Sequence, residues 1–197
     1  PRINDENSLD ELVSTISSLV NEINLNYEII LIDDGSNDKS CEIISNLCAS
    51  DHNIKGIRFL QNFGKSQALS AGFKASKGEV IITMDADLQD DPKEIPELYN
   101  KISIENFDLV SGWKKVRFDS ILFKNIPSKI FNLAARITSG IKLNDFNCGI
   151  KAYKQKVVKH IKLTGGMHRY IPVIAKNTGY VRIITKEVIN YQRKHDK

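Results

Sequence analysis

The sequence predicts an α/β fold in which a mostly parallel central sheet is flanked by helices in a single domain. Short apolar runs of strand length alternate with stretches of helical period, and polar loops follow the runs. The 197 residues suit one sizeable core, and the net charge of +4 is modest. The sequence contains no run of 18 or more apolar residues, so none of its segments is predicted to span a bilayer.

The first predicted element is an amphipathic helix that follows a loop over residues 1–6. Asn4 or Asp5 can cap this helix. The apolar residues that predict it recur at helical spacing and are Leu9, Leu12, Val13, Ile16, Leu19, Val20 and Ile23.

Two strand–loop–helix units follow the first helix. Their strands are predicted over 27–32 and 54–60, and their helices over about 39–49 and through 68–73. Polar residues stand directly after both strands, and they include Asp33, Asp34, Gly64 and Lys65. Repeated units of this kind favour parallel strands, with the polar loops at one edge of the sheet.

The third strand is predicted to run into an acidic turn. Val80 to Met84 is apolar, and the next residues are rich in aspartate. Alternate residues of a strand point the same way, so Asp85 and Asp87 are expected to project together, and Gln89 can join them. Such oxygen ligands suit Mg²⁺ or Mn²⁺. The alternative is an acidic turn that caps the next helix, as Asp91 with Pro92 could do.

No familiar glycine loop for phosphate is present. Gly64-Lys65-Ser66 resembles the end of a P-loop, but Phe59 stands where that motif needs glycine, and the dinucleotide fingerprint is absent as well. Without such a loop, a metal at the acidic turn would be the group that binds a diphosphate.

Basic and apolar residues interleave over 113–136. The basic ones are Lys114, Lys115, Arg117, Lys124, Lys129 and Arg136. This pattern suits a segment at an anionic membrane surface. The alternative is a solvated basic face over a buried stripe. No stacking module accompanies the segment, so we do not expect nucleic-acid binding.

The last third of the chain contains three further candidates. Asp145 lies in a polar loop before a predicted short strand, where a turn aspartate is the alternative. His168 begins a predicted helix and is expected to be a hydrogen-bonding structural group. Polar and apolar residues alternate over 181–191, which predicts an edge strand that leads to Arg193.

An ordered set of motifs covers nearly the whole chain and resembles the family 2 glycosyltransferases. Within them it is similar to the polyprenyl-phosphate sugar transferases related to dolichol-phosphate mannose synthase. The motifs are Pro1…Asn4-Asp5-Glu6, Asp33-Asp34-Gly35-Ser36…Asp38, Asn62…Gly64-Lys65-Ser66…Gly72, Asp85-Ala86-Asp87-Leu88-Gln89-Asp90-Asp91-Pro92, Gly112-Trp113, Asp145-Phe146-Asn147-Cys148-Gly149, His168-Arg169-Tyr170-Ile171-Pro172 and Arg193.

The resemblance implies the glycosyltransferase A fold, with 1–197 as one catalytic domain that takes a nucleotide sugar and Mg²⁺ or Mn²⁺. It implies metal ligation by Asp85, Asp87 and Gln89, and catalytic roles for Asp145, Asp87 and Arg193. Residues expected at the nucleotide sugar are Pro1, Asp5, Asp33, Asp34, Lys65 and Asp85. Residues expected at the acceptor phosphate are Lys115, Arg117, Lys124 and Ser128.

The expected activity is inverting transfer of a sugar from a UDP- or GDP-linked donor to a polyprenyl phosphate at the cytoplasmic membrane face. Transfer to a saccharide hydroxyl and an inactive nucleotide- or membrane-binding module remain alternatives, and a homo-oligomer is compatible with the sequence. Relatives begin with a strand before the Pro1 motif, so the chain is expected to lack its first strand. Membrane segments often follow in relatives.

Overall fold

The computed structural model describes residues 6–115, 136 and 139–191 of the chain. Within these residues, 3₁₀ helices over Pro92–Glu94 and Met167–Tyr170 directly precede the helices that begin at Ile95 and Ile171. The helices are α1 (Leu9–Glu22), α2 (Ser40–Ser50), α3 (Lys65–Ala75), α4 (Ile95–Ser103), α5 (Gln155–His160) and α6 (Ile171–Asn177). The strands are β1 (Ile29–Asp33), β2 (Ile54–Arg58), β3 (Val80–Thr83), β4 (Leu109–Trp113), β5 (Lys151–Lys154) and β6 (Ile183–Glu187).

The α/β prediction is confirmed, with strands and helices alternating as far as β4. Strands β1 and β2 pair in parallel, and a second sheet has the order β3-β5-β4-β6. Within it β4 and β6 are parallel, whereas β5 is antiparallel to both of its neighbours. Strand β5 begins where β3 and β4 end, since Lys151 lies opposite Thr83 and Ser111. A strand that enters at that edge must run antiparallel, which the sequence pattern did not predict.

The acidic residues lie in a turn after β3 and not on the strand itself. Strand β3 ends at Thr83, two residues before Asp85. The prediction that Asp85 and Asp87 share a strand face is therefore wrong, because strand alternation does not extend to them. Their placement is set by the turn.

The core has two layers on either side of β4 and β5. On one side α3, α5 and α6 pack around Tyr153, which makes an edge-to-face contact with Phe73 at a centroid distance of 5.5 Å. On the other side, α4 packs Leu98 and Ile102 against Val110. These layers hold the carboxyl ends of β3 and β4 beside the loop that leads into β5.

An open cavity of about 1050 Å³ separates β1 from β3. In the parts of the chain that are described, β1 pairs only with β2, and β3 pairs only with β5. All four residues of β3 are consequently only partly buried, whereas Leu109 to Gly112 of β4 are buried.

Among the residues described, no helix is both long and apolar enough to cross a membrane.

Candidate active site

The acidic turn joins the start of α3 through an ion pair. Both carboxylate oxygens of Asp85 accept hydrogen bonds from Lys65 Nζ, at 2.7 and 2.9 Å. Asp87 is buried, and its Oδ1 accepts a long hydrogen bond of 3.4 Å from the Gln89 amide. Leu88, which lies between Asp87 and Gln89, has a φ of +57°, a value that leucine rarely adopts. The turn thus places the predicted metal ligands beside a predicted phosphate ligand.

The other two aspartates of the turn hold structure together. Asp91 accepts a hydrogen bond of 2.9 Å from the Lys93 amide and one of 2.8 Å from the Tyr191 hydroxyl, so the helix-capping alternative is confirmed for this residue. Asp90 is 1% exposed and lies 2.7 Å from Lys114 Nζ. Burial raises the pKa of the Asp90 carboxyl, and the Lys114 ammonium opposes that shift.

The pairing of Lys114 corrects part of the prediction for the basic segment. Its side chain is 14% exposed and directed at Asp90, so it does not belong to a membrane-facing surface. Lys115 is exposed and lies 3.6 Å from Glu187. Arg136 donates to the Leu143 carbonyl at 2.6 Å, and so holds the loop that leads to Asp145.

The loop before β5 approaches the acidic turn closely at Gly149. A Cβ atom at this position would lie 2.5 Å from Asp85 Oδ2 and 3.1 Å from Asp90 Oδ2, so a side chain there would displace the carboxylates. Asp145 in the same loop is 1% exposed, and its Oδ1 accepts a hydrogen bond of 2.9 Å from the Asn147 amide. Asp145 and the acidic turn therefore belong to one region.

Asp33 and Asp34 lie at the carboxyl end of β1 and differ in their hydrogen bonds. Asp34 accepts the amides of Phe63 and Gly64 at 2.8 and 2.9 Å, and so fixes the loop before α3. Asp33 accepts the Ser36 amide at 2.8 Å through Oδ1. Its buried Oδ2 makes no hydrogen bond among the described residues, although Arg58 Nε lies 3.6 Å away. That oxygen could accept a donor group of a nucleoside.

Two residues of the site were not given roles by the sequence, Lys151 and Ser66. Lys151 is buried at the start of β5, where burial lowers the pKa of its ammonium and the carboxylates of Asp145 and Asp85 oppose that effect. Ser66 is buried and hydrogen-bonds His168. Lys65, Lys151 and His168 line one small cavity of about 10 Å³.

The donor set fits a hard divalent cation that keeps several ligands from outside the protein. The described residues contain no group of three His, Cys, Asp or Glu side chains able to hold a metal by themselves. Asp85, Asp87 and the Gln89 amide oxygen would supply part of a coordination shell, and substrate phosphates and waters the remainder, as Mg²⁺ and Mn²⁺ sites commonly do.

Six predicted site residues lie outside the described residues, and their roles stay predictions. They are Pro1, Asp5, Arg117, Lys124, Ser128 and Arg193.

The sequence model of Glycosyl transferase family 2 matches residues 6–162, which is more than half of the chain. The chain belongs to glycosyl transferase family 2. The matched range contains the acidic turn, Lys65 and the Asp145 loop.

Curated relatives of this family 2 chain share about a third of its residues. Dodecaprenyl-phosphate galacturonate synthase of Rhizobium johnstonii is 35% identical over 198 residues, covering 99% of this chain and 58% of the relative. Undecaprenyl-phosphate 4-deoxy-4-formamido-L-arabinose transferase of Aeromonas hydrophila is 34% identical over 196 residues, covering 99% of this chain and 59% of the relative. The chain thus spans less than two thirds of these relatives' length.

Solved structures show the same fold at low sequence identity. Glucosyl-3-phosphoglycerate synthase from Mycobacterium tuberculosis, in complex with Mn²⁺, UDP-glucose and phosphoglyceric acid, superimposes with a TM-score of 0.74 at 18% identity, covering 100% of this chain and 70% of that one. The expected glycosyltransferase A-type fold is confirmed.

Proposed function

We propose that this family 2 chain is the catalytic domain of an inverting, metal-dependent glycosyltransferase. It moves a sugar from a UDP- or GDP-linked donor to a polyprenyl phosphate at the cytoplasmic membrane face. One observation carries the proposal. The acidic turn contacts Lys65 of α3 on one side and the Gly149 loop, with Asp145 in it, on the other. The names of the curated relatives support the polyprenyl phosphate acceptor.

The donor would lie along the carboxyl ends of β1 and β3, where ligands of open α/β sheets bind. Asp33 would accept a hydrogen bond from the base or ribose through its buried Oδ2. Lys65 would turn from Asp85 toward the diphosphate, because phosphate oxygens offer equally strong charge-assisted hydrogen bonds. A divalent cation at Asp85, Asp87 and Gln89 would supply Lewis-acid neutralisation of the departing diphosphate.

Arg193 is proposed as a second cation for that diphosphate. The backbone amide of Tyr191 donates to the Gln89 carbonyl at 2.9 Å, so the chain at Tyr191 is fastened to the acidic turn. Arg193 follows two residues later, and two residues span at most about 7 Å. This short reach supports the proposal that Arg193 binds the departing diphosphate.

Asp145 would orient the acceptor more than abstract a proton. A phosphate monoester has a second pKa of about 6, so a lipid phosphate is mostly a dianion at neutral pH and attacks without a base. Lys115, Arg117, Lys124 and Ser128 would hold that phosphate at the membrane. An exposed Lys115 supports this arrangement.

A transfer assay tests the proposal directly. The purified protein is incubated with labelled UDP- and GDP-sugars, a polyprenyl phosphate and Mn²⁺, with the unphosphorylated polyprenol and an oligosaccharide as matched acceptors. We expect a labelled glycolipid only with the lipid phosphate and only with the metal. Product on the oligosaccharide would instead support transfer to a saccharide hydroxyl. Metal-dependent nucleotide binding without product from any pair would support an inactive module.

A further inference from the structure

Ser66 and His168 are joined by two hydrogen bonds, one through the His168 backbone and one through its ring. The backbone amide of His168 donates to Ser66 Oγ at 3.0 Å, and Ser66 Oγ lies 3.1 Å from His168 Nδ1. Ser66 is 1% exposed in the first turn of α3, while His168 is half-buried in the 3₁₀ helix before α6. The contact joins segments about one hundred residues apart.

The hydroxyl of Ser66 has one proton to donate. Its oxygen accepts the His168 amide, and its proton can point at Nδ1, which then acts as an acceptor. A neutral imidazole whose Nδ1 accepts carries its proton on Nε2. The described residues give Nε2 no hydrogen-bond partner.

The charges around the ring favour its neutral form. Partial burial, together with the cations of Lys65, Arg169 and Lys151, lowers the pKa of His168 to about 4. The carboxylate of Asp85 opposes it. The lowered pKa favours an uncharged ring at neutral pH. The ring lines the small cavity that Lys65 and Lys151 also line.

We propose that His168 presents Nε2–H as a neutral hydrogen-bond donor to a phosphate oxygen held by Lys65 and Lys151, with Ser66 as the positioning residue that fixes its tautomer. The inference rests on the proposed function, because that function brings phosphate to this end of the sheet. Two sources supply the same chemistry, the diphosphate of the donor and the phosphate of the acceptor lipid.

The tautomer is measurable without any substrate. Nitrogen-15 NMR of labelled protein should show His168 protonated on Nε2 at pH 7 and unchanged down to pH 5. Ser66→Ala should lose this uniform state and mix the two tautomers, whereas Ser66→Thr should keep it. A wild-type ring protonated on Nδ1, or charged at pH 6, would refute the inference and leave the proposed transfer standing.

Two substitutions of His168 separate its two nitrogens. His168→Gln places an amide N–H near the position of Nε2, whereas His168→Asn keeps an acceptor for Ser66 but cannot reach that far. Affinities are measured with UDP, GDP and farnesyl phosphate, and His52→Gln is the matched change at an exposed histidine.

We expect His168→Asn to weaken binding of one phosphate ligand on the order of tenfold, His168→Gln to restore most of it, and His52→Gln to change nothing. A loss for UDP or GDP assigns the donor diphosphate, and a loss for farnesyl phosphate assigns the acceptor. Equal affinities of wild type and His168→Asn for all three ligands would refute the donor role. If the protein shows the expected His168 tautomer and the expected affinities for these ligands but transfers no sugar, the result would count against the proposed function and not against the donor role of His168.

Discussion

At the scale of single residues, the acidic turn divides its carboxylates between two tasks. Asp90 and Asp91 are occupied by Lys114, by the Lys93 amide and by the Tyr191 hydroxyl. Asp85 faces Lys65, a mobile type of cation that can exchange a carboxylate for a phosphate. Substitutions in this short run should therefore separate chemistry from stability.

Asp87→Asn should abolish transfer and weaken Mn²⁺-dependent nucleotide binding while the protein stays folded. Asparagine keeps the Oδ1 that accepts the Gln89 amide, but it lacks the negative charge that a divalent cation requires. Transfer assays, Mn²⁺ titration and thermal unfolding check this. Metal-stimulated activity equal to wild type would remove Asp87 from the metal site.

Gly149→Ala should impair metal-dependent nucleotide binding by displacing the Asp85 carboxylate. The new Cβ would lie 2.5 Å from Asp85 Oδ2, well inside van der Waals contact. Gly166→Ala is the matched control, since a Cβ there meets nothing within 4 Å. Isothermal titration of both variants with Mn²⁺ and UDP or GDP is the measurement. Indistinguishable affinities would mean that the carboxylate moves without consequence.

Asp145→Asn should distinguish the acceptor classes through its pH dependence. With an ionised lipid phosphate as nucleophile, the loss should be partial and should not recover at high pH. With a sugar hydroxyl, removing the base should cost on the order of 10² to 10⁴ in rate, and the residual rate should climb with pH. The asparagine keeps the acceptor for the Asn147 amide. A deep loss of transfer rate that recovers steeply at high pH, with unaltered Mn²⁺ affinity, would contradict a lipid phosphate acceptor.

The candidate site residues that stand close together in the chain could be predicted from the sequence. Those that only the fold brings together could not. Asp85, Asp87 and Gln89 stand close together in the chain, so their composition alone indicated a metal. Lys151 gave no comparable signal, because a lysine in a short strand is usually solvent-facing. Its role depends on the register that places it opposite Thr83, which is set by tertiary packing.

At the scale of elements, the end of β4 divides a basic pair between the interior and the surface. Lys114 is directed inward to Asp90, whereas Lys115 is 61% exposed beside Glu187. Adjacent residues of an extended chain point in opposite directions, which explains the split. A membrane role for this segment therefore depends on Lys115 and the residues after it.

Replacing Lys115 and Arg117 with serine should weaken binding to anionic vesicles by about 1 kcal/mol per charge at low salt. Lys114 is left in place to preserve its buried ion pair. Vesicle sedimentation at two salt concentrations measures the effect. The control variant replaces Lys74 and Lys77, which are exposed at the opposite end of the sheet and carry the same charge. Equal loss in both variants would indicate a general effect of net charge, and no loss would make the segment a solvated face.

The positions of helices and strands could be predicted because the spacing of apolar residues and the polar loops are local signals in the sequence. The first helix was expected to end near Ile23, and α1 spans Leu9–Glu22. Strand direction is not local. Strand β5 follows a connection of 37 residues from Trp113 to Lys151, and only the fold decides at which edge such a connection returns.

At the scale of the whole molecule, the cavity between β1 and β3 has the features of a strand position. The Ile29 amide donates to the Asn53 carbonyl and the Asp33 carbonyl accepts the Phe59 amide, and these partners flank β2. The alternate residues Ile30 and Ile32 therefore turn their amides to the cavity. The Gln155 amide donates to the Glu79 carbonyl on the β5 side of β3. By the same alternation, the amides of Val80 and Ile82 face the cavity. Within the described part of the chain, two strand edges without a pairing partner thus face one another.

Residues of two helices line this cavity. They include Leu12 and Ile16 of α1 and Phe73 of α3. The chain enters α1 near the carboxyl ends of both strands, since Ser8 Oγ donates to the Ala86 carbonyl at 2.6 Å. These features favour a further strand between β1 and β3, and in relatives a strand leads into the segment that corresponds to Pro1.

A five-residue extension of valine and isoleucine before Pro1 should fill the cavity and raise the melting temperature. Hydrogen exchange should slow at the amides of Ile30, Ile32, Val80 and Ile82, by about tenfold or more, because they gain partners. The matched control has proline at the centre of the extension, which removes a ladder hydrogen bond. Equal protection with both extensions, or protection that appears only in a dimer, would refute a strand supplied by the same chain.

The attachment of Tyr191 to the acidic turn has a consequence for the order of folding. The tyrosine hydroxyl bonds Asp91, one hundred residues earlier in the chain, and its amide bonds Gln89. During synthesis the turn leaves the ribosome long before Tyr191 does, so it lacks these partners until Tyr191 has also been made and released. Contacts of such long sequence separation form late, because closing the loop costs entropy before the contact compensates it. A chain truncated after Glu187 would keep the helices that form the two core layers but would lack the Tyr191 groups that bond the acidic turn.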